Sequence, residues 1–199
     1  YRFNGLEVVN GLVRVVGECD AGTRVVMCYK EELEPDTWGV RISSHSHYGD
    51  ASENILKSLK RAGIDAGRIV VVVGGSKADE DYTDGDGVTF LHTSDEKHGC
   101  IGLSHHNGSD AFDYWVCLHD TCDILPDFEQ RITRIDIGLR PDVITFCEGQ
   151  PFELGIFSEE FLDEIEIPDI AVARVEEFLK DSASVVVSYG AGCKNMGRR

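Results

Sequence analysis

The chain has 199 residues, with 19 Lys+Arg against 36 Asp+Glu, a formal net charge of −17, a pI near 4.7 and 42% hydrophobic residues. That length suits one domain with a substantial core, and the apolar fraction is too high for a disordered acidic tail. The charge excludes broad binding to a nucleic-acid backbone or to anionic lipid, which both need clustered Lys and Arg; it leaves room for a small phosphate-bearing ligand whose charge is cancelled locally.

The elements run as follows. Two short β-like stretches, 6–9 and 12–16, flank Asn10-Gly11, a strong hairpin signal. A compact apolar strand is expected at 24–29, then an irregular polar stretch to Gly49. Asp50-Ala51-Ser52-Glu53 resembles a capping box with Asp50 as N-cap. Ile55, Leu56, Leu59 and Ala62 give the helix behind it an apolar face, and Gly63 stops it. The run 69–73 is Ile-Val-Val-Val-Val, without alternation, as in a strand buried on both faces of a parallel sheet. With 24–29 it predicts a right-handed β-α-β unit. No apolar run exceeds its five residues, far short of the ~20 residues of a membrane span.

The segment 77–87 carries Asp79, Glu80, Asp81, Asp84 and Asp86 but fails the ligand order of an EF-hand, so a solvated loop is expected. A strand follows at 88–91 and a helix at 100–106. The apolar strand 113–118 exits straight into His119-Asp120-Thr121-Cys122-Asp123. A short helix is expected at 126–135, a strand at 142–147, a helix capped by Ser158 with Glu159 and Glu160 in its first turn, an amphipathic helix at 168–180 and a last strand at 184–188. This alternation predicts an α/β sandwich with a mostly parallel central sheet flanked by helices.

No GxxxxGK[ST], GxGxxG or GxSxG motif occurs, which removes the main support for P-loop, dinucleotide-binding and α/β-hydrolase readings. The seven cysteines are odd in number and contain no CxxC pair; with no signal-peptide pattern, reduced thiols in a cytoplasmic protein are expected. The histidine pairs His45/His47, His105/His106 and His92/His98 have no ligand spacing on an identifiable helix and read as structural. Ligands of open parallel sheets bind beyond the carboxyl ends of the strands. There the sequence places Tyr29-Lys30, Gly74-Gly75-Ser76, His119-Asp120-Thr121 and Glu148-Gly149-Gln150. An acid at the tip of so apolar a strand is costly to bury unless it is paired or binds metal, which singles out Asp120, with His119 and Asp123 beside it.

These segments, in this order, resemble the GT-A-fold glycosyltransferases that use nucleotide sugars. The likeness spans roughly residues 24–165: the helix and strand over 55–75, Gly99-Cys100-Ile101-Gly102-Leu103-Ser104-His105-His106-Asn107, the apolar strand with a DxD-like exit at His119-Asp120-Thr121, the Pro126-Asp127-Phe128 helix start and an acceptor-side segment at 148–158. The DxD motif is not intact, since the second acid, Asp123, stands one place too far.

The resemblance implies a single GT-A-like domain over 1–199: an N-terminal hairpin (1–23), a nucleotide-binding half (24–110) and a half with the DxD-like motif and acceptor site (111–199). It implies sugar transfer from a UDP- or GDP-sugar to a carbohydrate or other hydroxyl acceptor, assisted by Mn²⁺ or Mg²⁺. Asp120, Glu148 and Glu153 would be catalytic, one glutamate deprotonating the acceptor. Tyr29, Lys30, Gly74, Gly75, Lys97, His98 and His119 would bind the nucleotide, and Asp120, His119 and Asp123 the metal. A sugar-phosphate nucleotidyltransferase shares the layout but carries a Gly-rich basic loop after its first strand, which Tyr29-Lys30-Glu31-Glu32-Leu33 is not. A noncatalytic binding domain that kept the fold is the third reading.

Overall fold

β-Branched apolar segments set the strands of two sheets in this computed structural model, which describes residues 2–9, 12–18, 24–28, 32–96, 100–105, 111–135, 137–138, 140–146, 154–165, 183 and 186–188. Strands β1 (Arg2–Val9), β2 (Leu12–Glu18) and β3 (Arg24–Cys28) form a three-stranded antiparallel sheet in the order β1-β2-β3. Val9 pairs with Leu12, leaving the two residues that the hairpin signal requires.

The expected β-α-β unit needs a correction here. Strand β3 pairs with β2, and the strand that precedes the first helix is β4 (Trp38–His45), inside the stretch expected to be irregular. The reason is its two faces. Trp38, Val40 and Ile42 alternate with Arg41, Ser43 and His45, and all eight residues of the strand are buried, so its polar side chains must find partners inside the protein.

The chain continues through α1 (Gly49–Arg61), a 3₁₀ turn (Ala66–Arg68), β5 (Ile69–Gly74), β6 (Glu80–Thr83), β7 (Thr89–His92), α2 (Ile101–Ser104), β8 (Tyr114–His119), α3 (Phe128–Ile132), β9 (Val143–Thr145), β10 (Gly155–Ser158), α4 (Glu159–Glu164) and β11 (Val186–Ser188). The large sheet has eight strands in the order β11-β9-β10-β8-β4-β5-β7-β6. It is mixed, where a mostly parallel sheet was expected. Four pairings are parallel, β11/β9, β8/β4, β4/β5 and β5/β7. Three are antiparallel, β9/β10, β10/β8 and β7/β6. Strand β10 causes much of this: it lies in the segment read as acceptor-side, for which no strand was expected, and inserts between β9 and β8.

Each face of the sheet has its own core. On one, Val40, Ile42, Val71, Val116 and Ile144 pack with Ile55 and Leu59 of α1 and Phe128 and Ile132 of α3. On the other, Val70, Val72, Trp115 and Cys117 pack with Ile101 and Leu103 of α2 and Phe161 and Leu162 of α4. Every residue of β5 is buried, as its unbroken apolar run requires.

Helix α1 starts two residues earlier than the capping box implies. Tyr48 is its N-cap and makes no side-chain cap bond, while Asp50 lies in the first turn, where the helix dipole favours an acid. At the other end Gly63 (φ +89°) closes a Schellman motif, its N–H reaching Lys60 O at 3.2 Å and that of Ile64 reaching Leu59 O at 3.1 Å. Ser158 caps α4 as expected, accepting the Phe161 N–H at 3.2 Å. The acidic segment is not all loop: β6 is a fully exposed edge strand. The expected helix at 168–180 lies outside the described residues. No described helix is long and apolar enough to cross a membrane. Among the described residues Cys100, Cys117 and Cys122 form no disulfide.

Candidate functional site

Strands β8, β4, β5 and β7 lie side by side and parallel, so their carboxyl ends, His119, His45, Gly74 and His92, share one edge of the sheet. From β4 the chain passes through α1 to β5 on one side; β8, on the other side of β4, follows α2. The two helices cover opposite faces. The strand order therefore reverses between β4 and β8, and such a switch point opens the crevice where open α/β sheets hold their ligands.

The polar residues of β4 and β8 meet there. Asp120 is 9% exposed and held from two directions. Its N–H donates to Ser43 O at 3.1 Å, and its Oδ2 accepts the Ser44 hydroxyl at 2.8 Å. Ser44 Oγ also lies 2.7 Å from Ser52 Oγ of α1. With the Ser44 proton on Asp120, the Ser52 hydroxyl donates to Ser44, and the chain of bonds fixes the carboxylate. An ionised carboxylate has about four acceptor positions, so most of the capacity of Asp120 is unused among the described residues.

The opposite face of the same strands carries Ser43 and His119, which are register partners. Ser43 Oγ accepts the Gly102 N–H at 3.0 Å, and a Cβ on Gly102 would lie 2.7 Å from that oxygen, so only glycine lets α2 close on β4. His119 Nε2 is a buried atom without a hydrogen-bond partner among the described residues.

Beside them, His45 accepts the His47 N–H on Nδ1 at 3.3 Å, and the two rings stack at 4.8 Å. Gly75 (φ +66°) lies against the His45 ring, where a Cβ would collide with Nε2. Its N–H donates to Asp95 O at 2.8 Å, and the Ser76 N–H donates to Thr93 O at 2.8 Å. Gly74 and Gly75 thus serve close packing, and the Gly75 and Ser76 amides bind the strap after β7 instead of facing a phosphate.

The remaining sequence-predicted residues divide. Tyr29, Lys30, Lys97, His98, Glu148 and Glu153 lie outside the described residues. The nucleotide role of Tyr29 and Lys30 rested on β3 as first strand of the main sheet, a place that β4 holds. His119 and Asp120 are brought to the crevice but face opposite sides of the sheet, and Asp123 is exposed. They make no joint centre, and no group of three His, Cys, Asp or Glu among the described residues is arranged to hold a metal ion. The donor set does not fit the expected Mn²⁺ or Mg²⁺ site.

In the acidic segment, Asp84 Oδ1 accepts the N–H groups of Asp86, Gly87 and Val88 at 2.9, 2.9 and 3.0 Å, a turn-closing role. Sequence reasoning missed Ser43, Ser44 and Ser52, and it named His45 only as a structural residue. The available signal was the alternation of Trp38, Val40 and Ile42 with polar residues.

No family profile and no curated protein matches the chain. Among solved structures it is similar to two crystal structures of Rv0371c from Mycobacterium tuberculosis H37Rv. One, a complex with manganese, is 15% identical, with 78% of this chain and 90% of that chain covered and a TM-score of 0.46. The other is 18% identical, with the same coverages and a TM-score of 0.44.

Proposed function

We propose that the chain is a GT-A-type glycosyltransferase whose nucleotide-diphosphate sugar lies in the crevice between β4 and β8. The observation that supports this reading most is Asp120, a buried carboxylate held by Ser44 at the carboxyl end of a central strand, with acceptor capacity to spare. It suits the hydroxyl hydrogens of a ribose or sugar, and the Ser44–Ser52 pair keeps it in place. His119 Nε2, buried and without a partner among the described residues, is the nitrogen for a diphosphate oxygen. Glu148 or Glu153 takes the proton of the acceptor hydroxyl as it attacks the anomeric carbon. No resident metal enters this reading, because the described donors do not converge on one.

A nucleotidyltransferase is disfavoured on new ground. The loop after the first strand of the main sheet is Ser46-His47-Tyr48-Gly49, with one glycine and no Lys or Arg.

Calorimetric titration with UDP, GDP and their sugars, with and without Mn²⁺, tests the proposal. UDP- or GDP-sugar binding that weakens about tenfold or more in Asp120→Asn, in a variant that still melts cooperatively, supports it. Absence of nucleotide binding under every condition overturns it.

A further inference from the structure

A concavity lies at the end of β8 opposite Asp120. It is a cavity of about 330 Å³ at the first residue of β8 and the last of β10. Six residues of β8 separate it from Asp120, about 20 Å at the rise of a strand. Its volume falls in the range of small-molecule sites.

The walls are fixed. The Ser158 N–H donates to Asp142 O, and the Glu159 N–H to Asp113 O, both at 2.9 Å, which ties the segments bearing these acids to β10 and α4. Phe112 lies over Gly39, where a Cβ would stand 2.7 Å from the ring, and packs edge-on against Trp115 with centroids 5.1 Å apart. Phe112 and Tyr114 give the cavity an aromatic wall.

The charge is one-sided. Among the described lining residues four are acidic, Asp113, Asp142, Glu159 and Glu160, and one, Arg140, is basic. Glu159 is 8% exposed and faces the buried Arg41 at 3.7 Å, so its charge is met from inside. Asp113 and Glu160 are exposed at the rim.

We propose that this cavity binds an organic cation, an amine, amidine or guanidine on a flat apolar body, with its charge among the rim carboxylates and its body against the aromatic wall. The rim carboxylates would repel the diphosphate of the nucleotide sugar proposed for the crevice. Charge-assisted hydrogen bonds to carboxylates and burial of a flat apolar body against aromatic rings act together at such a site.

The test is an NMR or calorimetric titration of the full chain with benzamidinium and with its neutral isostere benzamide, at fixed ionic strength. Benzamidinium should bind about tenfold tighter than benzamide, and the Asp113→Asn/Glu160→Gln double variant should lose about that factor. Asp120→Asn should leave this binding unchanged, so the two sites succeed or fail separately. Equal affinity for the two probes, no binding of either, or undiminished benzamidinium binding in a double variant that still melts cooperatively overturns the proposal. The comparison of the two probes on the unaltered chain decides the matter should the double variant not fold.

Discussion

Cys117 sits at the middle of the sheet, 1% exposed, as the register partner of Arg41. Burial pushes its thiol up to about 12 from an ordinary 9.0, although the neighbouring Arg41 guanidinium pulls the other way. Arg41 itself stacks on Trp115, its guanidinium carbon 4.2 Å from the ring centroid, and burial lowers its affinity for a proton. The consequence for stability has a definite sign. Below pH 9 the thiol is protonated in both folded and unfolded chains and has no effect. Between 9 and about 12 the unfolded chain releases the proton and the folded chain keeps it. Stability therefore falls as pH rises through this window, by at most about 1.4 kcal/mol per pH unit. Urea unfolding between pH 9 and 11 should show a shallower decline in Cys117→Ala than in the parent. Equal slopes would refute the assignment.

At the scale of elements, what was legible depended on whether a strand's pattern states its surroundings. Strand β5 does, because an all-apolar run has no solvent face, and so does β8. The hairpin is legible from Asn10-Gly11 alone, since two-residue turns fix register. Strand β4 is not. Arg41, Ser43 and Ser44 look solvated in the sequence, and only the tertiary structure supplies Glu159, Gly102 and Asp120 as their respective partners. The crevice was thus half legible: Asp120 was readable from the abrupt end of β8, whereas the serines that hold it were hidden in a strand that looked like a loop. Strand β3 failed differently, since composition marks a strand but not the sheet it joins.

The C-terminus of α1 was read correctly, and it yields a clean measurement. Gly63 has φ +89°, and a Cβ there would meet only Glu129 Oε2 at 3.5 Å, so there is room for one. The cost of Gly63→Ala is conformational, about 1–2 kcal/mol, and Gly63→Asn should cost less because Asn tolerates the left-handed region. The urea midpoint should fall without a change in slope. An alanine variant as stable as the parent would mean that the helix end can relax to an ordinary conformation.

At the scale of the molecule the charge of −17 is the dominant fact. Among the described residues, Arg68–Glu129 is a more buried pair at 2.9 Å, but Lys57–Glu53 and Arg131–Asp127 are exposed on both sides, as is Lys60–Asp86 at 3.7 Å. Such pairs contribute little each. The acids of β6 and its turn lie on an exposed edge, where like charges discourage pairing with a second chain but repel one another. The folded state therefore carries a self-repulsion that the more expanded unfolded chain relieves. Salt screens it: the Debye length falls from about 30 Å at 0.01 M to about 8 Å at 0.15 M. Raising NaCl across that range should raise the melting temperature, by about 2–4 °C for each kcal/mol of repulsion removed in a chain of this size. Sodium chloride is the right probe, because sulfate would also strengthen apolar burial and confuse the two effects. Differential scanning calorimetry at pH 7.5 decides it. A melting temperature that stays level or falls with NaCl would show that surface ion pairs outweigh the net repulsion.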